Sequence, residues 1–272
     1  MPGNNSDSHA ETALPAEQYT VPPVSRAISV LRYIAAGNNC RNISVASKAL
    51  SINRTTMLRL INTLREERWI EEIAPGAGYR LGPDLISLAA AGINERDIVN
   101  VARPILAKLS EALGLSSHLG MLDKRDVIYL VRESPNAHLV SNVRVGTRLP
   151  AHATTMGRVL LSQLTRDEIE KLYADEELIA YSENTPATLD ALVLQLKIER
   201  EQDVVRNVNT FEKGIGSCAC GVHDHTGKTV AAINVIGPDS YFRSGKSQQQ
   251  KIEKALQAAA AEISKGLGYQ SR

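Results

Sequence analysis

Apolar positions between Ile43 and Arg65 repeat with a helical period in two stretches separated by a short polar break. In the second stretch Met57, Ile61 and Leu64 fall on one helix face, while Thr55, Thr56, Arg59, Asn62 and Thr63 fall on another. Short hydroxyls, an amide and a guanidinium are groups that base edges and phosphates accept from a helix in the major groove. Upstream, Ile28, Leu31 and Ile34 mark a further helix, with Ser25 as its expected N-cap and Gly37 placed to end it near Ala36. Ser44 and Asn53 are the expected N-caps of the paired helices. Beyond Arg65, residues Trp69 to Ile73 alternate as a strand does, Pro75 to Gly78 is turn material, and Tyr79 to Leu81 returns. Three helices followed by a hairpin predict a winged helix-turn-helix, with Arg80 on the wing within reach of a phosphate.

Past Gly82-Pro83 the pattern changes scale. Asp84 to Ala91 opens an apolar helix suited to linking two domains, and such helices often dimerise. A helix is expected over 101–113, and alternating runs predict strands over 116–122, 127–131 and 139–143. Helices follow over 155–163, 166–173 and 189–201, the second opened by the capping box Thr165-x-x-Glu168. Strands return over 204–207, 215–223 and 230–236, the last two joined by the turn Asp224 to Lys228, and a final helix spans 248–266. Strands grouped on both sides of a helical block predict an α+β domain with a mainly antiparallel sheet. The resulting division is a disordered arm over 1–22, the winged unit over 23–82, a linker helix over 83–98 and a second domain over 99–272.

Charge adds to this picture only locally. The whole chain of 272 residues carries +1, but residues 23–82 hold nine Lys and Arg against four acids. A positive field confined to one module fits a polyanion partner, double-stranded DNA, beside a module that has none. An apolar content of 43% is ordinary for a globular chain. Without a basic, apolar leader pattern or a run of about 18 apolar residues, the expectation is a cytoplasmic protein with no membrane contact. Three cysteines, Cys40, Cys218 and Cys220, are too few and of the wrong parity for a secreted disulfide scaffold. No cofactor motif is present.

Several short segments together resemble the IclR family of transcriptional regulators over about residues 24–265. They are Ser25-Arg26-Ala27, the helix pair with Thr56 and Arg59, Tyr79-Arg80-Leu81-Gly82, the run Val145 to Thr154, Gly157-Arg158, Gly214 and Ile236-Gly237-Pro238. The resemblance implies a winged helix-turn-helix, a linker helix and a GAF-like effector domain, assembled as a homodimer or tetramer on palindromic operators near genes of carbon catabolism. Arg26, Arg54 and Arg80 are then expected at phosphates, and Thr55, Thr56 and Arg59 nearest to bases. It also implies an effector cavity lined by His138, Ser141, Thr155, Met156, Asn207, Ile215, Ser217, Asn234 and Ile236. Such a mixed lining suits a short carboxylate or carbonyl compound. Where the family pattern usually has an acid this chain has Asn207, and where serine is common it has Ile236, which removes a negative charge and a hydroxyl. A repressor released by its effector is the leading expectation, with an activator as the alternative.

One other constellation carries chemistry. Cys218-x-Cys220-x-x-His223-x-His225 holds zinc-type donors, but on a strand the two cysteines share a face that His223 does not, and no second ligand pair stands at finger spacing. No metal site is therefore expected. A Cys/His hydrolase of small esters or lactones is the remaining enzymatic alternative, ranked below the regulator because no oxyanion loop accompanies it.

Overall fold

The computed structural model describes residues 20–94, 97–135, 143–174 and 176–270. They divide into two compact units, one ending at Gly92 and the other beginning at Ile93. In the first, α1 (Pro22–Ala35), α2 (Ile43–Ala49) and α3 (Arg54–Glu66) are followed by β1 (Ile70–Ala74), β2 (Gly78–Leu81) and the start of α4 (Pro83–Asn94). Helix α1 begins three residues before the expected Ser25 cap, because Pro22 and Pro23 occupy its first turn, where a missing N–H costs nothing. Its end is as expected: Gly37 takes φ +91°, and the N–H groups of Gly37 and Asn38 close on Ile34 O and Tyr33 O. Asn42, not Ser44, caps α2, its side-chain oxygen accepting from the N–H groups of Ser44 and Val45. Asn53 caps α3 as expected, accepting from Thr56 N at 2.8 Å.

Val30, Ile34, Ala46, Ile52, Met57, Ile61, Leu64 and Ile70 form the core of this unit, with Trp69 partly buried against it. The wing is antiparallel, pairing Ile70 with Leu81 and Glu71 with Arg80. It seats closely on the α1–α2 connection: Tyr79 N donates to Asn39 O at 2.6 Å, and a Cβ on Gly78 would collide with that same carbonyl.

The second unit is built on one antiparallel sheet in the order β5-β4-β3-β8-β7-β6, comprising β3 (Ser116–Asp123), β4 (Asp126–Glu133), β5 (Arg148–Pro150), β6 (Val205–Val208), β7 (Ile215–His223) and β8 (Thr229–Pro238). One face packs against α5 (Asp97–Leu113) and α10 (Lys246–Gly266), through Leu119, Val131, Cys218, Ile233 and Val235 from the sheet and Leu106, Leu109, Ile252 and Leu256 from the helices. The other face carries α6 (Thr155–Leu161), α7 (Arg166–Tyr173) and α8 (Leu189–Arg200) around a second apolar cluster that includes Val127, Met156, Leu161 and Leu192. The Thr165–Glu168 capping box that opens α7 is present.

Two elements were not expected, β5 and α9 (Asp239–Arg243). Both are too short to show a period, and β5 lies inside the run Val145 to Thr154. Residues 139–142 of the expected strand over 139–143 and the candidate residues His138 and Ser141 lie outside the described residues, as does most of the expected arm, while Val143 is described and is not in a strand. Helix α5 starts at Asp97, four residues before its expected start, and Ile93 at the end of α4 already packs into the second unit's core.

Candidate functional sites

The face of α3 opposite its core stripe is open. Arg54, Thr55, Arg59, Asn62 and Thr63 are exposed and Thr56 is half-buried beneath them. Leu58, absent from the sequence-based set, joins this surface at 43% exposure, an apolar patch among the polar groups. Arg54 reaches back to α2, its Nη1 donating to Ser44 Oγ at 3.4 Å. The tight turn between the two helices is made by Ser51 at φ +53°. Arg26 is exposed on α1. Arg80 is exposed on the wing but already paired, its Nε 2.6 Å from Glu71 Oε1, so a phosphate would have to compete with that carboxylate.

In the second unit a cavity of about 240 Å³ opens between the sheet, the start of α6 and the loop that follows β6. Of the residues expected there, Thr155, Asn207, Ile215, Ser217, Asn234 and Ile236 line one wall or another. Met156 is not among the lining residues; one position along α6, its side chain is fully buried, its sulfur facing Gly120. Sequence reasoning missed Tyr129, Thr147, Thr210, Phe211 and Glu212. Tyr129 sits in a strand run that reads as plain core. The other four lie in loops, where no periodicity marks a wall. No Lys or Arg occurs among the described lining residues, and the one charged group, Glu212, is exposed at the rim.

The floor of the cavity is ordered by a polar chain across three strands. His118 on β3 pairs directly with Asn234 on β8, and its Nδ1 lies 2.9 Å from Asn234 Oδ1. Asn234 Nδ2 in turn donates to Ser217 Oγ on β7 at 3.3 Å. That amide orientation makes Nδ1 the protonated nitrogen of His118. It also leaves the Ser217 hydroxyl, its oxygen already accepting, with its own proton to donate. Burial holds the His118 imidazole down at about 4, against the hydrogen bond it donates to Asn234 and with a smaller contribution from Arg132. His118 is therefore neutral near pH 7, and its Nε2 has no partner among the described residues.

A second buried polar cluster supports the wall. Arg158 and Glu199 are 1% and 2% exposed, with Arg158 Nε 3.0 Å from both Glu199 oxygens. Glu199 also accepts from Gln195 Nε2 at 2.8 Å and from Asn207 Nδ2 at 3.2 Å. Arg158 Nη1 donates to His152 O, while His152 Nε2 lies 3.0 Å from Ile179 O. His152 thus ties its loop to backbone, and burial lowers its pKa. A Cβ on Gly157 would overlap Ala151, which explains the glycine before Arg158 at this helix start.

The cysteine–histidine constellation does not assemble. Cys218 and Cys220 are buried on the sheet face that meets α5 and α10, and burial pushes both thiols up to about 12. Cys220 Sγ donates to Asp203 O, and His223 instead meets Thr229 and Tyr269. Among the described residues no cluster of three or more His, Cys, Asp or Glu side chains is suited to a metal ion, and no helix is long and apolar enough to cross a membrane.

A helix-turn-helix with a basic open face, next in sequence to an antiparallel sheet that holds a small-molecule cavity, defines a DNA-binding regulator of transcription. Comparison with known proteins supplies the family: the description "Bacterial transcriptional regulator IclR C-terminal" matches residues 90–265 and "IclR helix-turn-helix domain" matches residues 23–73. The chain belongs to the IclR family, whose members are regulators and not enzymes. Among its relatives, the HTH-type transcriptional regulator TtgV of Pseudomonas putida is 30% identical over 92% of this chain and 93% of its own length. The HTH-type transcriptional repressor AllR of Salmonella typhimurium is 24% identical over 94% and 93%. The crystal structure of an IclR transcriptional regulator from Alicyclobacillus acidocaldarius superposes with a TM-score of 0.79 at 25% identity, covering 92% of this chain and all of that one.

Proposed function

We propose that the chain is a cytoplasmic repressor of a catabolic operon that leaves its operator when a short carboxylate or carbonyl compound fills the cavity beside Ser217. The observation that carries the effector class is the Ser217 hydroxyl, which is held by Asn234 with its proton free for an oxygen acceptor. Thr155 and Asn207 add polar groups to the lining, and Ile215 and Ile236 supply an apolar wall. A volume of about 240 Å³ lies below the roughly 300–1,000 Å³ of sites for drug-sized ligands, which restricts the effector to a small metabolite. The repressor sense follows the relative named as one.

On the operator, Arg26, Arg54 and Arg80 meet phosphates and fix register, while Thr55, Thr56 and Arg59 meet base edges. A homodimer or tetramer places two such helices on a palindromic site. The effector must favour the conformation that does not hold DNA, since equal affinity for both would shift nothing. Calorimetric titration of the full chain with short carboxylates, semialdehydes and aromatic acids, followed by operator gel shifts with each binder, tests this reading. A binder from these classes that lowers operator affinity and loses its hold in Ser217→Ala supports it. Binding confined to cations or large polycyclic compounds overturns the effector class, and an effector that strengthens transcription without releasing DNA overturns the repressor sense.

A further inference from the structure

Behind the Asn207 side of the effector cavity lies a separate cleft of about 600 Å³, bounded by α6, α8, β6, α9 and α10. Its described lining residues include Arg158, Arg206 and Arg243 and not one aspartate or glutamate. The three guanidinium groups differ in how far the protein has used them. Arg243 is paired across one turn, Nε to Asp239 Oδ2 at 3.1 Å, with more than half of its side chain exposed. Arg206 is exposed and donates only to a backbone carbonyl, Phe242 O, at 3.3 Å; among the described residues no carboxylate pairs with it. Arg158 is 1% exposed, and although Glu199 holds its Nε, its Nη2 is buried with no hydrogen-bond partner among the described residues. A buried guanidinium N–H left unpaired has lost its hydration with nothing in return, and native structures rarely leave one without a reason.

From this arrangement we infer that the cleft is a second ligand site, distinct from the effector cavity, that takes a small oxyanion carrying two or more negative charges. Arginine forks match planar carboxylates and phosphoryl oxygens alike, and a cleft without wall acids leaves both chemistries open to it. A single monocarboxylate would satisfy only one fork, whereas three guanidinium groups around one volume suit a phosphoryl compound or a di- or tricarboxylate. Asn207 and Thr210 belong to both linings, and Asn207 donates to the Glu199 that holds Arg158. An anion on Arg158 therefore bears on the same short chain of bonds that shapes the effector cavity, so the two sites share a wall without sharing a ligand.

The test is isothermal titration of the full chain, in low salt and without DNA, with inorganic pyrophosphate in one arm and citrate in the other. Saturable heat at one site per chain in either arm, weakened about tenfold or more in Arg206→Gln/Arg243→Gln, is the expected result, and the stronger arm identifies the oxyanion. Thermal unfolding of the variant checks its fold. The single Arg206→Gln variant, whose side chain gives up one hydrogen bond to backbone, repeats the measurement should the double variant be damaged. Two outcomes overturn the proposal: no saturable heat in either arm, or binding undiminished in the variants, which would place the anion on the basic helix-turn-helix unit instead. Neither outcome touches the effector reading, because neither arginine lines that cavity.

Discussion

The two units handle polar side chains in opposite ways. Among the described residues, the N-terminal unit buries a single polar side chain, Ser47, and keeps its chemistry on the outside of α3 and the wing. The C-terminal unit buries fifteen, among them His118, Arg158, Glu199, Ser217 and Asn234. An apolar core with a polar exterior is robust to changes on its working face, since an exposed contact can be lost without unfolding anything. A polar interior is not, because each group depends on partners that only the folded chain supplies. Recognition in the first unit is thus separable from stability, and in the second it is not.

The sharpest way to break this contrast is at Glu199. Glu199→Ala leaves Arg158 buried and uncompensated, with an expected loss of about 3–5 kcal/mol in urea unfolding, whereas replacing both partners by apolar residues should recover most of it. A loss below about 1 kcal/mol would show that the interior of this unit tolerates an unpaired charge.

His118 gives the next largest effect, and a directional one. Its pKa is about 4 in the folded chain against 6.5 for an unperturbed imidazole, so between those values the unfolded chain binds the extra proton. Stability contributed by the neutral ring is complete above pH 6.5 and is lost as pH falls towards 4, by up to about 1.4 kcal/mol per pH unit. His118→Gln should flatten that part of the stability–pH curve; an unchanged slope would remove His118 as its source.

On the other unit, Arg59→Ala should weaken specific operator binding by about 1–3 kcal/mol while leaving the unfolding curve within about 0.5 kcal/mol of the parent. A large stability loss there would break the separation of recognition from folding. Removing the α3 cap with Asn53→Ala should cost about 1 kcal/mol of stability, as one orphan N–H is left to water. The smallest effect is expected at Glu71→Ala. The exposed pair with Arg80 contributes at most about 1 kcal/mol, and its removal frees Arg80 for a phosphate, so operator affinity should rise slightly and depend more steeply on salt.

The same contrast explains what was legible in the sequence. The helices and wing of the first unit follow from Met57, Ile61 and Leu64, from Gly37 and from the alternation at Trp69 to Ile73, all local patterns. The misplaced caps have different causes: Pro22-Pro23, which lack N–H groups, start α1 ahead of Ser25 with no side-chain cap, and Asn42 accepts the orphan N–H groups of α2 in place of Ser44. In the second unit the long strands and helices were readable, but Thr210, Phe211 and Glu212 were not, since they meet the cavity from a loop. The Arg158–Glu199 pair joins positions 41 residues apart, and no local period announces a pairing at that separation. Met156 marks the limit of carrying positions over from a family pattern: neighbouring Thr155 faces the cavity, while its own side chain goes to the core.

Cys40, at 4% exposure, sits in the core of the first unit, and Cys218 and Cys220, at 1% and 3%, sit in the core of the second. Each is a shuttered reporter: a thiol reagent in native buffer meets it only while its own unit is open. Labelling followed by mass mapping therefore times the opening of the two halves independently in a single tube, and shows directly whether a ligand of one half steadies the other.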